Sequence, residues 1–288
     1  MRDAVMKIAV IGDIHSNHIA LQAVLDSIDS AKVDGIVFMG DYVSDFPCPQ
    51  KTMELLRECA ARFVTRFIRG NREDYMIARH HGQSEHWRDG SQFGSLLYTY
   101  NNLTEADIRF FEAMPIAAMI VLDGCPPFAV CHASPENAHE WIYDNQARMR
   151  ECADGLPSDL LLCGHTHQQK AVPLGAKTVI FTGSVGLAIG VANTAQFVML
   201  EDTRDGWSAC LMSVPYDRDA ALAGFASPDY MEKAKWWAKA VQHTVRTGAN
   251  ATLHLLQAAF RLAREDGADT SLCIPEKHWQ QAAAELGL

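Results

Sequence analysis

Residues 7–70 alternate short apolar runs with stretches of helical periodicity. The apolar runs are Lys7–Ile11, Gly35–Met39 and Phe63–Ile68, and a glycine follows each run within two residues. Between them, residues 19–28 and 52–59 have apolar side chains at helical spacing. Strands that alternate with helices pair in parallel through right-handed crossovers. This rhythm predicts an α/β fold that begins with a parallel sheet.

The pattern changes after residue 113, where apolar runs follow one another closely. Six runs predict strands: Ala117–Leu122, Phe128–Val130, Leu160–Cys163, Thr178–Phe181, Gln196–Leu200 and Ser208–Val214. Turn dipeptides such as Asp123-Gly124 and Asp205-Gly206 separate several of them. We expect these runs to form a second, largely antiparallel sheet. Two sheets packed together with helices outside would bury both sets of apolar residues.

Two segments have helical rather than strand patterns. Residues 72–113 are polar and helical, and we interpret them as an insertion or cover within a domain that spans residues 1–216. Residues 217–288 form a helical C-terminal extension, in which Met231, Ala234 and Ala238 recur at helical spacing. We expect this extension either to pack on the core or to form an interface in a homo-oligomer. The Trp236-Trp237 pair is interpreted as core or interface.

Charge and composition exclude several classes of partner. The chain has 288 residues, and its 25 Lys and Arg against 35 Asp and Glu give a net charge of −10. Binding to extended nucleic acid needs clustered basic residues, and an anionic membrane would repel this chain. No apolar stretch approaches the ~20 residues of a membrane span, and no signal peptide pattern precedes the first strand. Eight cysteines lack CxxC or zinc-finger spacing. We therefore expect a reduced, cytoplasmic protein.

Five apolar runs end in residue types that bind metals. These residues are Asp13, His15, Asp41, Asn71, His132, His165 and His167. Functional sites gather beyond the carboxyl ends of parallel strands, and side chains two apart in extended chain point the same way. Glycines at positions 12, 40, 70 and 164 are expected to let the backbone turn sharply before each ligand. Seven mixed oxygen and imidazole donors suit two ions of Mn, Fe, Zn or Ni better than Ca or Mg.

These residues fall in a pattern that resembles the calcineurin-like metallophosphoesterases. The family pattern is D-x-H, G-D, G-N-x-[D/E], H and G-H-x-H. The matching segments are Gly-Asp13-Ile-His15, Gly-Asp41, Gly-Asn71-Arg72-Glu73, His132 and Gly-His165-Thr-His167. The segments that begin at Gly12, His132 and Gly183 are similar to the bacterial phosphodiesterase-like branch. The resemblance covers roughly residues 7–216 and implies a four-layer α/β/β/α sandwich of two mixed sheets flanked by helices.

The resemblance also implies a site and an activity. One ion would be held by Asp13, His15 and His167, the second by Asn71, His132 and His165, and Asp41 would bridge them. The implied catalytic residues are Asp41, Asn71, Arg72 and His132. The residues expected to bind substrate are Arg72, Asn71 and His18. The implied activity is dinuclear phosphodiester hydrolysis of a small substrate by in-line attack of a hydroxide shared by the ions, with manganese as the expected ion in vitro.

The sequence departs from the family at Arg72, where many members have a histidine thought to protonate the leaving group. A guanidinium stays protonated and is a poor proton donor, although it binds phosphate oxygens well. General acid catalysis is worth about 10²–10⁴-fold, so its loss should hurt esters with basic leaving groups most. We therefore expect a preference for phosphodiesters or activated esters. His18 is an alternative proton source, but a solvated residue in the first helical turn is the favoured interpretation.

Other functions stay open beside this one. Arg72 is compatible with a non-catalytic metal-binding scaffold of the same fold, and a phosphomonoesterase acting on proteins or nucleotides is a further alternative. A metallo-β-lactamase-like hydrolase would need H-x-H-x-D-H, whereas Gln168-Gln169-Lys170 follow His167. Cyclic nucleotides, dinucleoside polyphosphates, phosphoproteins and phospholipid-derived diesters are all candidate substrates.

Overall fold

Within residues 5–288, which the computed structural model describes, two five-stranded sheets are flanked by helices. The strands are β1 (Lys7–Ile11), β2 (Gly35–Phe38), β3 (Val64–Phe67), β4 (Ala117–Ile120), β5 (Phe128–Cys131), β6 (Leu160–Cys163), β7 (Gln169–Leu174), β8 (Lys177–Thr182), β9 (Thr194–Thr203) and β10 (Gly206–Pro215). The helices are α1 (His18–Ala31), α2 (Pro49–Arg62), α3 (Asn71–His80), α4 (Gly94–Asn101), α5 (Glu105–Glu112), α6 (Gln146–Asp154), α7 (Arg218–Ala223), α8 (Pro228–Thr247), α9 (Ala251–Glu265) and α10 (Glu276–Leu286). The predicted lack of a signal peptide concerns in part residues 1–4, which lie outside the described residues.

The first sheet has the strand order β10-β9-β1-β2-β3. Strands β1, β2 and β3 are parallel, as their alternation with helices predicts, and α1 and α2 connect them. The hairpin of β9 and β10 was expected in the second sheet, and that expectation is wrong, because β9 pairs antiparallel with β1. The turn at Asp205-Gly206 can be predicted from the dipeptide itself. The strand that pairs with the hairpin cannot, because that pairing depends on the packing of the whole core.

The second sheet has the strand order β4-β5-β6-β8-β7. The prediction of a largely antiparallel sheet is wrong, because β5, β6 and β8 are parallel and only the outer strands β4 and β7 run antiparallel to their neighbours. The sequence patterns did not predict β7, which contains Pro173 and Lys170. Proline cannot donate to a central ladder, but it is tolerated at the edge of a sheet, where β7 lies.

The two sheets pack face to face through aliphatic side chains. Val10, Val37 and Val198 of the first sheet form one cluster with Val130 and Leu162 of the second. Helices cover the outer faces, with α1 and α2 on the first sheet and α6 on the second. The predicted α/β fold of two mixed sheets flanked by helices is confirmed. Its energetic basis is the burial of both faces of each sheet.

The insertion and the C-terminal extension are helical, as predicted, and they contact each other. Helix α8 packs against α4, where a side chain at Gly94 would collide with the Lys233 carbonyl group. The buried Tyr230 of α8 hydrogen-bonds Ser95 of α4 over 2.9 Å. The domain boundary at residue 216 and an oligomer interface stay predictions. None of the helices within residues 5–288 has the length and apolar character that a bilayer crossing requires.

Candidate metal centre

The structure brings together all seven residues that were predicted as metal ligands. They follow β1, β2, β3, β5 and β6 and lie at one end of the sheets, and we refer to them as the metal centre: Asp13, His15, Asp41, Asn71, His132, His165 and His167. One oxygen or nitrogen from each of Asp13, His15 and His167 lies within 4.8 Å of the others. The same holds for Asp13, Asp41 and His132.

Asn71 joins the remaining imidazoles to this cluster. Its Oδ1 lies 3.0 Å from His132 Nε2 and 3.0 Å from His165 Nδ1. Both imidazoles thus converge on one amide oxygen. The backbone of His165 contributes as well, because its N–H lies 3.0 Å from Asp13 Oδ2. This bond ties the loop after β6 to the loop after β1.

Most of the predicted ligand residues lie in sharp turns themselves and do not have the extended backbone that was expected. Five of them have φ between 52° and 65°: Asp13, His15, Asp41, His165 and His167. Residues other than glycine are disfavoured in this left-handed backbone conformation, so the surrounding structure must offset its energetic cost. The side chains therefore converge for a different reason than the predicted strand alternation.

The glycines before the ligands provide space more than conformational freedom. Of the four, Gly40 alone has a positive φ, of 88°. A side chain at Gly164 would bring its Cβ to 2.7 Å from Asp13 Oδ2, and one at Gly70 would overlap the Asp41 side chain. The prediction that all four glycines turn the chain is wrong. Gly70 and Gly164 are needed because carboxylates of the metal centre approach the backbone closely.

Backbone carbonyl groups orient two of the imidazoles. Nδ1 of His132 donates to the Met39 carbonyl oxygen over 2.8 Å, and Nδ1 of His167 donates to the Leu187 carbonyl oxygen over 3.0 Å. The proton on Nδ1 leaves Nε2 with its lone pair free for a cation. Partners of this kind fix the tautomer and ring orientation of metal-binding histidines.

Asp45, which no sequence motif indicated, lies behind His15. Its Oδ2 is 2.7 Å from His15 Nδ1 and 3.3 Å from Arg72 Nη2. Its Oδ1 accepts a hydrogen bond of 2.6 Å from Trp237 Nε1 of α8. A buried carboxylate in this position holds the ring of His15 and balances the charge of Arg72. The sequence carried no signal for this role, because burial of a single loop aspartate cannot be read from local pattern.

Glu73 is a second positioning residue that the predicted site omitted. Its Oε2 accepts hydrogen bonds of 2.8 Å from the backbone N–H groups of Asp41 and Gly70, and its Oε1 accepts one from Tyr42. Burial and the nearby charge of Asp41 raise the pKa of Glu73 to about 7. The side chain ties the loop after β2 to the start of α3. The sequence feature that could have predicted this role is the position of Glu73 as the acidic residue of the G-N-x-[D/E] motif.

Arg72 and His18 differ in their relation to the metal centre. The Arg72 backbone N–H donates to Asp41 Oδ1 over 2.8 Å, and its Nε lies 3.8 Å from Asp41 Oδ2. That Nε has no hydrogen-bond partner within residues 5–288. His18 is the first residue of α1 and half-buried. Its ring makes no hydrogen bond or ion pair with any metal-centre residue in the described part of the chain.

The electrostatics of the metal centre favour a cation. Burial opposes ionisation of Asp13, but contacts with His15 and His167 outweigh it and lower the pKa of Asp13. Burial would lower the pKa of His15, yet the carboxylates of Asp13 and Asp45 raise that pKa to about 9. Burial and the neighbouring His132 lower the pKa of His165 to about 3, so its ring is neutral. The carboxylates thus attract positive charge, which a divalent ion supplies in place of protons.

The spacing of the donor atoms fits such an ion. Nε2 of His15 lies 2.9 Å from Nε2 of His167, and Nε2 of His132 lies 3.4 Å from Oδ1 of Asp41. Donors that each lie about 2.0–2.2 Å from one transition-metal ion are about 3 Å or slightly more apart. The oxygen and imidazole mixture also matches the preferences of Mn, Fe, Zn and Ni.

Comparison with known proteins agrees with this geometry. Residues 6–169, more than half of the chain, match the family model described as calcineurin-like phosphoesterase. The chain belongs to the calcineurin-like phosphoesterase family. The resemblance predicted from the sequence is confirmed, and membership places the chain in a family of metal-dependent phosphoric ester hydrolases.

Individual relatives support the fold. An uncharacterized protein from Methanocaldococcus jannaschii is 28% identical over 164 residues, and the match spans 56% of this chain but only 62% of that protein. A hypothetical protein from Pyrococcus horikoshii OT3 has a TM-score of 0.72 at 18% identity, over 85% of this chain and 99% of that chain. A metallophosphoesterase from Sphaerobacter thermophilus has a TM-score of 0.60 at 22% identity, over 80% and 99%. At these identities, the two solved structures show a shared fold.

Proposed function

We propose that this protein is a phosphodiesterase that uses two divalent transition-metal ions. The observation that carries the proposal is the convergence of seven carboxylate, amide and imidazole side chains at one end of the sheets. A site with so many cation-binding groups is unusual without a catalytic or binding role. Family membership supports phosphoester hydrolysis as that role.

Two ions suit this arrangement better than one. Asp13, His15 and His167 would hold the first ion, and Asn71, His132 and His165 the second. Asp41 lies between the two groups, with Oδ2 3.6 Å from His15 Nε2 and Oδ1 3.4 Å from His132 Nε2. This position supports a bridging carboxylate. Ions held this way would neutralise phosphoryl oxygens and make a water molecule acidic enough to serve as a nucleophile.

Arg72 supports a preference for diesters or activated esters. Burial opposes its charge, but the carboxylates of Asp45 and Asp41 raise the pKa of Arg72, so the guanidinium keeps its protons. It can donate to a phosphoryl oxygen, together with the amide of Asn71, but it cannot protonate a leaving group. The His18 ring makes no hydrogen bond or ion pair with Arg72 or Asn71 in the part of the chain that the structure describes. Its role in substrate binding stays a prediction, as do a cytoplasmic location and self-association.

Metal analysis combined with an ester panel tests the proposal. Metal-stripped protein is reloaded with Mn²⁺, and bound metal is measured beside the hydrolysis of bis(p-nitrophenyl) phosphate and p-nitrophenyl phosphate. We expect two ions per chain and faster turnover of the diester. Two bound ions without turnover of any ester would favour the scaffold alternative, and faster turnover of the monoester would favour a phosphomonoesterase. Asp34→Asn is a control, since Asp34 is exposed and contacts the backbone of Lys7.

A further inference from the structure

A cavity of about 350 Å³ lies beside the metal centre, between the insertion and the C-terminal extension. Arg72 and Asp45 form part of its wall, and Leu256 of α9 forms another part. Most of the remaining wall is aromatic. The aromatic lining residues are Tyr75, His86, Trp87, Phe93, Trp237 and Trp279.

The cavity begins one side chain away from the metal ligands. Arg72 lines it and also lies 3.8 Å from Asp41. Asp45 lines it and also lies 2.7 Å from His15. An ester with its phosphate on the metal centre could therefore extend an organic group past Arg72 into this space.

The residues that line the cavity favour a ligand with a planar ring. Aromatic side chains bind flat rings by stacked or edge-to-face contact, and they offer little to a charged or strongly hydrated group. The charged side chains of the wall, Arg72 and Asp45, already face each other over 3.3 Å. A volume of this size lies at the lower end of the range of about 300–1,000 Å³ for small-molecule sites, so it suits one ring system and not a polypeptide.

Gln92 is a polar residue of the wall whose amide can recognise a heteroatom. Oε1 of Gln92 accepts a hydrogen bond of 2.8 Å from the Ile274 backbone N–H, which fixes the orientation of the amide. The amide Nε2 has no hydrogen-bond partner within residues 5–288. Gln92 is half-buried and lines the cavity together with the aromatic residues, so its amide N–H is a donor suited to an acceptor atom on a flat ligand.

We propose that this cavity binds the organic group of the phosphate ester, and that this group is a planar heteroaromatic ring of nucleobase size. The inference rests on the proposed function, because it places the phosphate on the metal centre. It adds the chemical class of the substrate, and it gives the contact between the insertion and the C-terminal extension a role in specificity.

Calorimetric binding to the Mn²⁺-loaded protein tests the cavity separately from turnover. The compounds titrated are adenosine monophosphate, phenyl phosphate and methyl phosphate. All three are phosphate monoesters, which the proposed diesterase would hydrolyse slowly. The wild-type protein should bind the adenosine ester about tenfold or more tightly than methyl phosphate, with phenyl phosphate between them. Equal affinity for the adenosine and methyl esters would overturn the proposal.

Two variants and one control substitution test whether the cavity determines this selectivity. Leu256→Trp should fill the cavity and reduce the affinity for both aromatic esters to that for methyl phosphate, whereas Leu211→Trp, at an exposed position of β10 outside the cavity wall, should change nothing. Gln92→Met should weaken binding of the adenosine ester and leave phenyl phosphate unaffected. A folded Leu256→Trp variant with wild-type affinities would overturn the proposal. If that variant does not fold, the comparison of three ligands on the wild-type protein decides.

The two proposals fail in different ways. Selective binding of the adenosine ester without hydrolysis of any ester would contradict the proposed function but support the cavity as a ligand site. Hydrolysis without selective binding of aromatic esters would contradict the cavity proposal but support the proposed phosphoesterase activity.

Discussion

Asp45→Asn would remove a negative charge that lies between the predicted metal ligand His15 and Arg72. The carboxylate lies 2.7 Å from His15 Nδ1 and 3.3 Å from Arg72 Nη2, and it accepts a hydrogen bond from Trp237. An amide keeps the shape but can no longer increase the basicity of the imidazole. Loss of a partner behind a metal-bound histidine typically costs about 10–100-fold in metal affinity or activity. That range corresponds to about 1.4–2.8 kcal/mol of metal-binding free energy.

The same substitution should lower the stability of the metal-free protein. Removing one partner of a buried ion pair costs about 3–5 kcal/mol. The Arg72 side chain is 18% exposed and still has Asp41 within 3.8 Å, so part of its charge stays balanced. We therefore expect a decrease of about 1–3 kcal/mol in the free energy of unfolding.

Two measurements on Asp45→Asn separate these effects. Calorimetric titration of metal-stripped protein with Mn²⁺ gives the affinity, and urea unfolding without metal gives the stability. Asp34→Asn carries the same chemical change on the surface and should match the wild-type protein in both. A wild-type Mn²⁺ affinity in folded Asp45→Asn would refute the role of Asp45 behind His15. A loss of stability alone would leave Asp45 as a partner of Arg72 only.

Three further substitutions or treatments test other parts of the site. Asp41→Asn should lower both metal occupancy, measured by elemental analysis, and diester turnover by orders of magnitude, since the residue lies between the two ligand groups; wild-type activity would contradict a bridging role. Arg72→His should increase turnover of esters with poor leaving groups more than of esters with good ones, because it supplies a proton donor; an equal change on both, in a series of aryl and alkyl esters, would speak against our account of Arg72. Chelator treatment should abolish hydrolysis and Mn²⁺ should restore it, and chelator-resistant turnover would exclude the metal-dependent mechanism.

The sequence predicted what depends on local pattern. Parallel pairing of β1, β2 and β3 follows from their alternation with helices. The seven predicted ligands meet because each follows the carboxyl end of a strand or begins the helix after one. The docking of the β9–β10 hairpin beside β1 could not be predicted, because the same alternating pattern suits either sheet. The proline in β7 concealed an edge strand, because proline is atypical of sheet interiors.

The geometry of the site was less predictable than its composition. Residue types and order predicted which seven side chains would converge. They did not predict the left-handed backbone of Asp13 and His165, which lie in loops that hydrogen-bond each other. Asp45 and Trp237 are 192 positions apart, and no local pattern links them. Their contact exists because α8 packs on the insertion, and helix packing of that kind depends on the surface of the folded core.

The C-terminal extension contacts the candidate site although it contains none of the seven predicted ligands. Tyr230 of α8 donates a 2.6 Å hydrogen bond to the Asp45 carbonyl oxygen, and Trp237 of the same helix binds the Asp45 side chain. Both bonds restrain a residue whose φ is 65°, a conformation that the loop alone would not favour. Asp45 in turn orients His15 and balances Arg72. Trp237 of α8 also lines the aromatic cavity, so the proposed recognition of an organic group and the placement of a predicted metal ligand depend on the same helix.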